Sequence, residues 1–238
     1  MIGKLHDPRE FRIRFEWGPQ GVACLAPASD AVVIVDVLSF STAVVVAAAR
    51  GATVFPYRWA DDTAAEYARS LDALLAGPRR EAGYSLSPGS LTGLPKDSRI
   101  VLPSPNGATL SLATGGTPTF AGCLRNASAV ARAAESCGPR VAVIACGERW
   151  PDGALRPSLE DHIGAGAILA CLDGARSPEA AAAIAVFESA RAHLPETLKN
   201  SVSGKELIGR GFEDDVAVAS ALDSDDVAPR LRDRAYAA

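Results

Sequence analysis

Between Ala31 and Ala49 the chain reads AVVIVDVLSFSTAVVVAAA, a stretch long and apolar enough to raise the question of a membrane span. Asp36, Ser39, Ser41 and Thr42 interrupt it. A buried strand that passes through a polar turn into a buried helix accounts for the pattern better. VVIV at 32–35 is an unbroken β-branched run, which marks a strand covered on both faces. A sheet with two covered faces needs helices on each side, and the rest of the chain supplies the alternation. ATVFPY (52–57) reads as the next strand, and Asp61 to Ala76 as a helix closed by Gly77. RIVLP (99–103), PTF (118–120) and RVAVIAC (140–146) are further strands.

Asn126 is placed to cap a helix running to Cys137. Ser158 and Asp161 have capping-box spacing at the start of a helix expected to reach Asp173. Ser177-Pro178-Glu179 starts another, and two short helices are expected near 203–209 and 213–222. Gly77 to Asp97, rich in Gly and Pro, reads as a loop of about twenty residues, long enough to be functional. The expectation is a layered α/β/α fold with a parallel-rich or mixed sheet and right-handed crossovers. One domain over 1–238 is expected, with a division into two subdomains near 125–140 as the alternative.

Charge narrows the function. With 28 acidic and 24 basic residues the chain has no basic surplus for nucleic acid, and 48% hydrophobic content argues against disorder. The five cysteines are odd in number and contain no C-x-x-C pair. That argues against a zinc site or a disulfide framework and for a reducing cytoplasm. The start of the chain, MIGKLHDPREFRIRFEW, is charged throughout and has no apolar signal core.

Ligands in open α/β sheets bind beyond the carboxyl ends of strands. VVIV ends on Asp36, RIVLP on Ser104-Pro105-Asn106-Gly107, and RVAVIAC on Gly147-Glu148-Arg149. Glu160 and Asp161 add adjacent carboxylates at a helix start. If Asp36, Glu160 and Asp161 converge, they form a hard oxygen site suited to Mg²⁺. Asn106-Gly107 opening a helix offers N–H groups to an anion. Each feature also has an ordinary reading: a cap or turn former at Asp36, a type I or II turn at 104–107, dipole-matched acids at 160–161. His162 reads as an ordinary helix residue. The cysteine-phosphatase loop, the D-x-D acyl-phosphate signature and the nucleotide glycine loops are all missing.

Together these segments resemble the 2-phosphosulfolactate phosphatase family. The matching stretches are VVIVDVLSFSTA (32–43), LPSPNGAT (102–109), GCLRNASAVA (122–131), VIACGERWPDGALRPSLEDHIGAGAIL (143–169) and GKELIGRGFEDDVAVASALDSDDVAP (204–229). The resemblance implies a Mg²⁺-dependent phosphatase of small sulfonated phosphoesters, and a homodimer. The family's Asp of V-D-V-L falls on Asp36, its N-G on Asn106 and Gly107, its N-A on Asn126 and Ala127, its E-D on Glu160 and Asp161, and a later Asp on Asp215. Three departures stand out: Ser39 replaces an Arg, Pro78 an acid in G-E-R, and Leu86 the amide in N-S-P. A Cys after E-D is Gly164 here, which counts against a thiol nucleophile.

The expected roles are therefore Asp36 and Asp215 in catalysis and Asp36, Glu160 and Asp161 on Mg²⁺. Ser39, Ser41, Thr42, Asn106, Gly107, Asn126, Arg125 and Arg149 are the expected contacts of a small phosphorylated acid. Arg125, Arg149 and Arg156 are the candidates to replace the missing guanidinium. Two other readings compete: a non-catalytic relative that binds a small anionic metabolite, and a nucleotide-dependent transferase.

Overall fold

The computed structural model describes residues 10–59, 61–81 and 83–238, so the opening of the charged N-terminal segment lies outside the described residues. The chain begins with β1 (Ile13–Trp17), α1 (Gly18–Leu25), β2 (Ala31–Val35), α2 (Phe40–Ala49) and β3 (Thr53–Tyr57). It continues with α3 (Asp62–Ser70), β4 (Leu74–Leu75), α4 (Pro88–Leu91), β5 (Arg99–Pro103), α5 (Gly107–Ser111) and β6 (Thr119–Gly122). Next come α6 (Ala127–Glu135), β7 (Val141–Ala145), the small hairpin β8 (Glu148–Arg149) and β9 (Leu155–Arg156), α7 (Leu159–Ala170) and α8 (Pro178–Ala190). The last elements are α9 (Leu194–Asn200), α10 (Val202–Gly209), α11 (Glu213–Ala219), β10 (Arg230–Arg232) and β11 (Ala235–Ala237).

A nine-stranded mixed sheet in the order β1-β7-β2-β6-β10-β11-β3-β5-β4 carries the fold. β1, β7, β2 and β6 form one parallel block, and β3, β5 and β4 another. The C-terminal hairpin joins them through antiparallel pairings of β10 with β6, β10 with β11, and β11 with β3. Three reversals make the second block run opposite to the first along the ladder. The hairpin turns at Asp233 and Arg234, both left-handed, as a tight two-residue connection requires.

The continuous apolar strands divide their side chains by period two. Ala31, Val33 and Val35 of β2, with Val141, Val143 and Ala145 of β7, join the core under α6, α7 and α8. Val32, Ile34, Ala142 and Ile144 face the opposite layer, where α1 supplies Val22 and Leu25 and α5 supplies Leu110. Helix α2 lies over the junction between the blocks. Its Phe40, Val44 and Ala47 share a core with Val54, Ile100, Leu102, Ala121 and Tyr236. The fold is α/β/α, and among the described residues no helix is long and apolar enough to cross a membrane.

Several local expectations change. The helix expected over 61–76 stops at Ser70, because Asp72 turns left-handed and Leu74 and Leu75 pair with Ile100 and Val101. The 77–97 loop contains α4 and a bridge between Gly77 and Ser85. Ser177 caps α8 by accepting from the Ala180 N–H, as expected. Ser158 makes no side-chain cap on α7, and Asn126 makes none on α6; both side chains of those capping motifs are needed elsewhere or left over.

Candidate active site

Strand β2 is wholly buried, so its first polar residue, Asp36, falls where the chain leaves the sheet. The carboxylate is fixed from two sides: Oδ1 accepts from the Phe40 N–H at 3.1 Å and Oδ2 from the Gly107 N–H at 3.0 Å. Only glycine fits at 107, since a Cβ there would lie 2.2 Å from the Phe40 ring and 2.8 Å from Asp36 Oδ2. Ser41 Oγ accepts from the Asp36 N–H and donates to the Ile34 carbonyl, while Thr42 Oγ1 donates to the Val37 carbonyl. A hydroxyl has one proton, so both are already spent on shaping this turn. Ser41 and Thr42, expected to hold a phosphoryl group, here build the loop that holds Asp36.

The first turn of α7 closes the opposite side. Asp161 Oδ1 accepts from the Val37 N–H at 2.7 Å and Oδ2 from the Gly147 N–H at 2.8 Å. It therefore clamps the loops after β2 and β7 together. Gly164 lets α7 approach this close, because a Cβ there would sit 2.5 Å from a Val37 methyl. Glu160 is equally buried, yet no described group donates a hydrogen bond to it. Glu148, three residues beyond the end of β7, accepts from Asn106 Nδ2 at 3.1 Å.

These four carboxylates interact. Burial raises Asp36 to about 6, against the two backbone N–H groups and Arg79, and Glu160 adds to the rise. Burial, then Asp36 and Glu160, push Glu148 up to about 7. Asp161 is pushed well above the usual carboxylate range, again by burial first and then by Asp36 and Glu160. The cluster favours uptake of positive charge, as protons or as a cation. Cys146 beside it is pushed well up by burial and by the same acids, so its thiol stays protonated. Among the described residues no three His, Cys, Asp or Glu side chains form a preset metal cage.

A guanidinium faces this acidic ground, and it belongs to a residue that the sequence left outside the expected site. Arg79, from the Gly77-Pro78-Arg79 segment, donates from Nη2 to Ser39 Oγ at 2.7 Å and from Nε to Asp215 Oδ2 at 3.2 Å. The other Asp215 oxygen accepts from Ser87 Oγ. Asp215 is thus the anchor of the 77–88 segment, and Ser39 is Arg79's second partner.

The other expected contacts lie elsewhere or are already committed. Arg125 pairs with Asp225 at 2.6 Å and donates to the Val218 carbonyl, so its charge serves the 218–225 segment. Asn126 is fully enclosed and bonds to the Cys123 N–H and the Ala121 and Val227 carbonyls. Arg149 is exposed and donates to the Gly153 carbonyl within the β8–β9 hairpin. Arg156 stands nearer, where its charge lowers the Glu148 carboxyl, and it lies over the Trp150 ring. His162 stacks on Phe15 with rings 5.4 Å apart, an ordinary aromatic packing. The residues missed from the sequence are Glu148, Arg79 and Ser87. Glu148 had a signal, since it follows a buried strand; Arg79 and Ser87 sit in a loop with no periodic pattern.

Comparison with known proteins places this three-layer α/β chain, with its buried carboxylates at strand ends and its held guanidinium, among the phosphoric monoester hydrolases. The chain is a member of the 2-phosphosulpholactate phosphatase family, whose model matches residues 23–234. It is 30% identical over 190 residues to the 2-phosphosulfolactate phosphatase of Methanothermobacter thermautotrophicus, covering 77% of this chain and 79% of that one. A probable 2-phosphosulfolactate phosphatase of Carboxydothermus hydrogenoformans is 35% identical over 208 residues, covering 84% and 85%. A probable 2-phosphosulfolactate phosphatase of Gloeobacter violaceus is 32% identical over 213 residues, covering 84% and 88%.

Proposed function

We propose that this enzyme is a Mg²⁺-dependent phosphatase that hydrolyses 2-phosphosulfolactate, or a closely related small phosphorylated acid, to the free acid and phosphate. The observation that carries the reading is Glu160: a buried carboxylate with no donor among the described residues, beside Asp36 and Glu148, where a phosphate would be repelled unless positive charge lay between. Mg²⁺ is commonly held by one or two carboxylates plus substrate oxygens and waters, so a site without a three-ligand cage suits it. Asp36 and Glu160 are the residues that would hold it. When bound there, the cation neutralises the charge of the phosphoryl group.

The remaining work falls to the protein's own groups. The Phe40 and Gly107 N–H groups stop the Asp36 carboxylate from rotating. Asn106 holds Glu148, whose elevated value near 7 suits a group that exchanges a proton with the attacking water at neutral pH. Asp215, already engaged by Arg79 and Ser87, holds the rim of the site in place of acting on water. The same reading extends to a single domain acting as a homodimer in the cytoplasm, which the five free cysteines support on the redox side.

The test is phosphate release from 2-phosphosulfolactate with Mg²⁺, with and without a chelator. Asp36→Asn and Glu160→Gln are each expected to lose about 100-fold or more, several kcal/mol of charge stabilisation. Turnover that survives both the chelator and these substitutions would overturn the cation assignment. Light scattering of the purified protein reads the homodimer directly.

A further inference from the structure

Arg79 stands apart from the other arginines near the site. Its side chain is only 14% exposed, its Nε is fixed by a carboxylate that is itself 3% exposed, and Nη2 is fixed by the buried Ser39 hydroxyl. The Phe212 ring lies 5.8 Å from its guanidinium carbon, which closes another side. Among the described residues Nη1 has no acceptor. An arginine held this firmly beside Ser39, with its charge acting on Asp36 and one nitrogen without an acceptor, is preorganised for an oxyanion. Its charge is already shared with Asp215, which suits a singly charged group better than a phosphoryl dianion.

We infer that Arg79 recognises the acid group of the substrate, a carboxylate or sulfonate, and that Asp215 is the positioning residue that holds it there. The inference rests on the hydrolase reading above and names its specificity. The Ser87 hydroxyl completes the arrangement by filling the other oxygen of Asp215, so the carboxylate cannot swing away from the guanidinium. Ser39, where the family pattern has an arginine, becomes the acceptor that aims Arg79.

The experiment compares Arg79→Ala, Arg79→Lys and Asp215→Asn with wild type on three phosphomonoesters. One is p-nitrophenyl phosphate, without an acid group; one is 2-phospholactate, with a carboxylate; one is 2-phosphosulfolactate, with both groups. For Arg79→Ala, the fall in kcat/KM on an acid-bearing ester should exceed the fall on p-nitrophenyl phosphate by roughly 10- to 100-fold. Loss on both acid-bearing esters assigns the carboxylate, and loss on the sulfonated ester alone assigns the sulfonate. Arg79→Lys should recover only part, because an ammonium keeps the charge and loses the fork. Asp215→Asn should raise KM for acid-bearing esters more than it lowers kcat. An equal fall on all three esters would overturn the inference, since a phosphoryl contact or a structural role predicts that result. Calorimetric binding of sulfolactate to wild type and to Arg79→Ala decides the point without turnover: equal affinities would refute it even if the hydrolase reading stood, and a selective loss would sustain it even if that reading fell.

Discussion

Asp161→Ala tests the structural clamp at the start of α7. In the native protein the Asp161 carboxylate accepts from the Val37 N–H at 2.7 Å and the Gly147 N–H at 2.8 Å. Both donors are buried, so the alanine variant leaves each without its carboxylate acceptor. Each orphaned buried donor costs about 1–3 kcal/mol, so two give about 2–6. Removing the carboxylate also relieves the cost of burying it, which is why its protonated form is favoured so strongly. The net expectation is the lower part of the range, about 2–4 kcal/mol, against a total stability of about 5–15. With a urea slope of about 2–3 kcal/mol per molar, the midpoint falls by about 1–2 M. The assay is urea unfolding in chelator, followed by circular dichroism, with no divalent cation present. Asp161→Asn, which retains one acceptor oxygen, should lose about half as much. A midpoint within 0.3 M of wild type (about 1 kcal/mol on that slope) for the alanine variant would refute the clamp.

Two further outcomes follow from the same geometry. Asp36 and Glu148 titrate at about 6 and about 7 in the folded protein, above their unfolded values of about 3.9 and 4.3. Protons bound by the native state stabilise it below about pH 4, and that contribution disappears as pH rises through 6 to 7. In chelator, the stability difference between wild type and Glu148→Gln should therefore move against wild type between pH 4.5 and about 7.5, as read by urea unfolding at each pH; a flat difference would contradict the buried-acid account. Tyr236, fully buried in β11 with its hydroxyl donating to Ser111 at 2.8 Å, joins the two halves of the sheet. Tyr236→Phe should cost about 1 kcal/mol and Tyr236→Ala about 3–5, measured by thermal or urea unfolding.

Local patterns carried a good part of the fold. β2 and β7 were readable because a strand buried on both sides must be apolar at every position, and each lies within a residue or two of its expected span. Ser177-Pro178-Glu179 opened α8 as its chemistry demands. Motif position also singled out Asp36, Asn106, Gly107, Glu160 and Asp161, and all five meet around the loops after β2 and β7. The C-terminal hairpin was not legible: RLR and AYA are too short to show a period, and they become strands only because two open sheet edges flank them.

The sequence alone determined the elements with a clear burial period or cap, such as β2, β7 and α8, and which turn carries the acids, since burial period and capping act over a few residues. Tertiary structure decided what each polar side chain does. Arg125 and Asn126 look available in the sequence, and long-range partners at Asp225 and Val227 consume them. Asp161 reads as a metal ligand beside Glu160; the fold gives each of its oxygens a backbone donor, as it does for Asp36, so that it also ties the loops after β2 and β7 together. Arg79 stands in the segment that resembles the family's G-E-R yet is not among the expected contacts, and its carboxylate lies 136 residues away. Hydrogen-bond partners and charge neighbours are set by distance in space, where a buried group must be satisfied or stay costly. That requirement acts only once the chain has brought the ends of β2, β5 and β7 and the start of α11 to the same place.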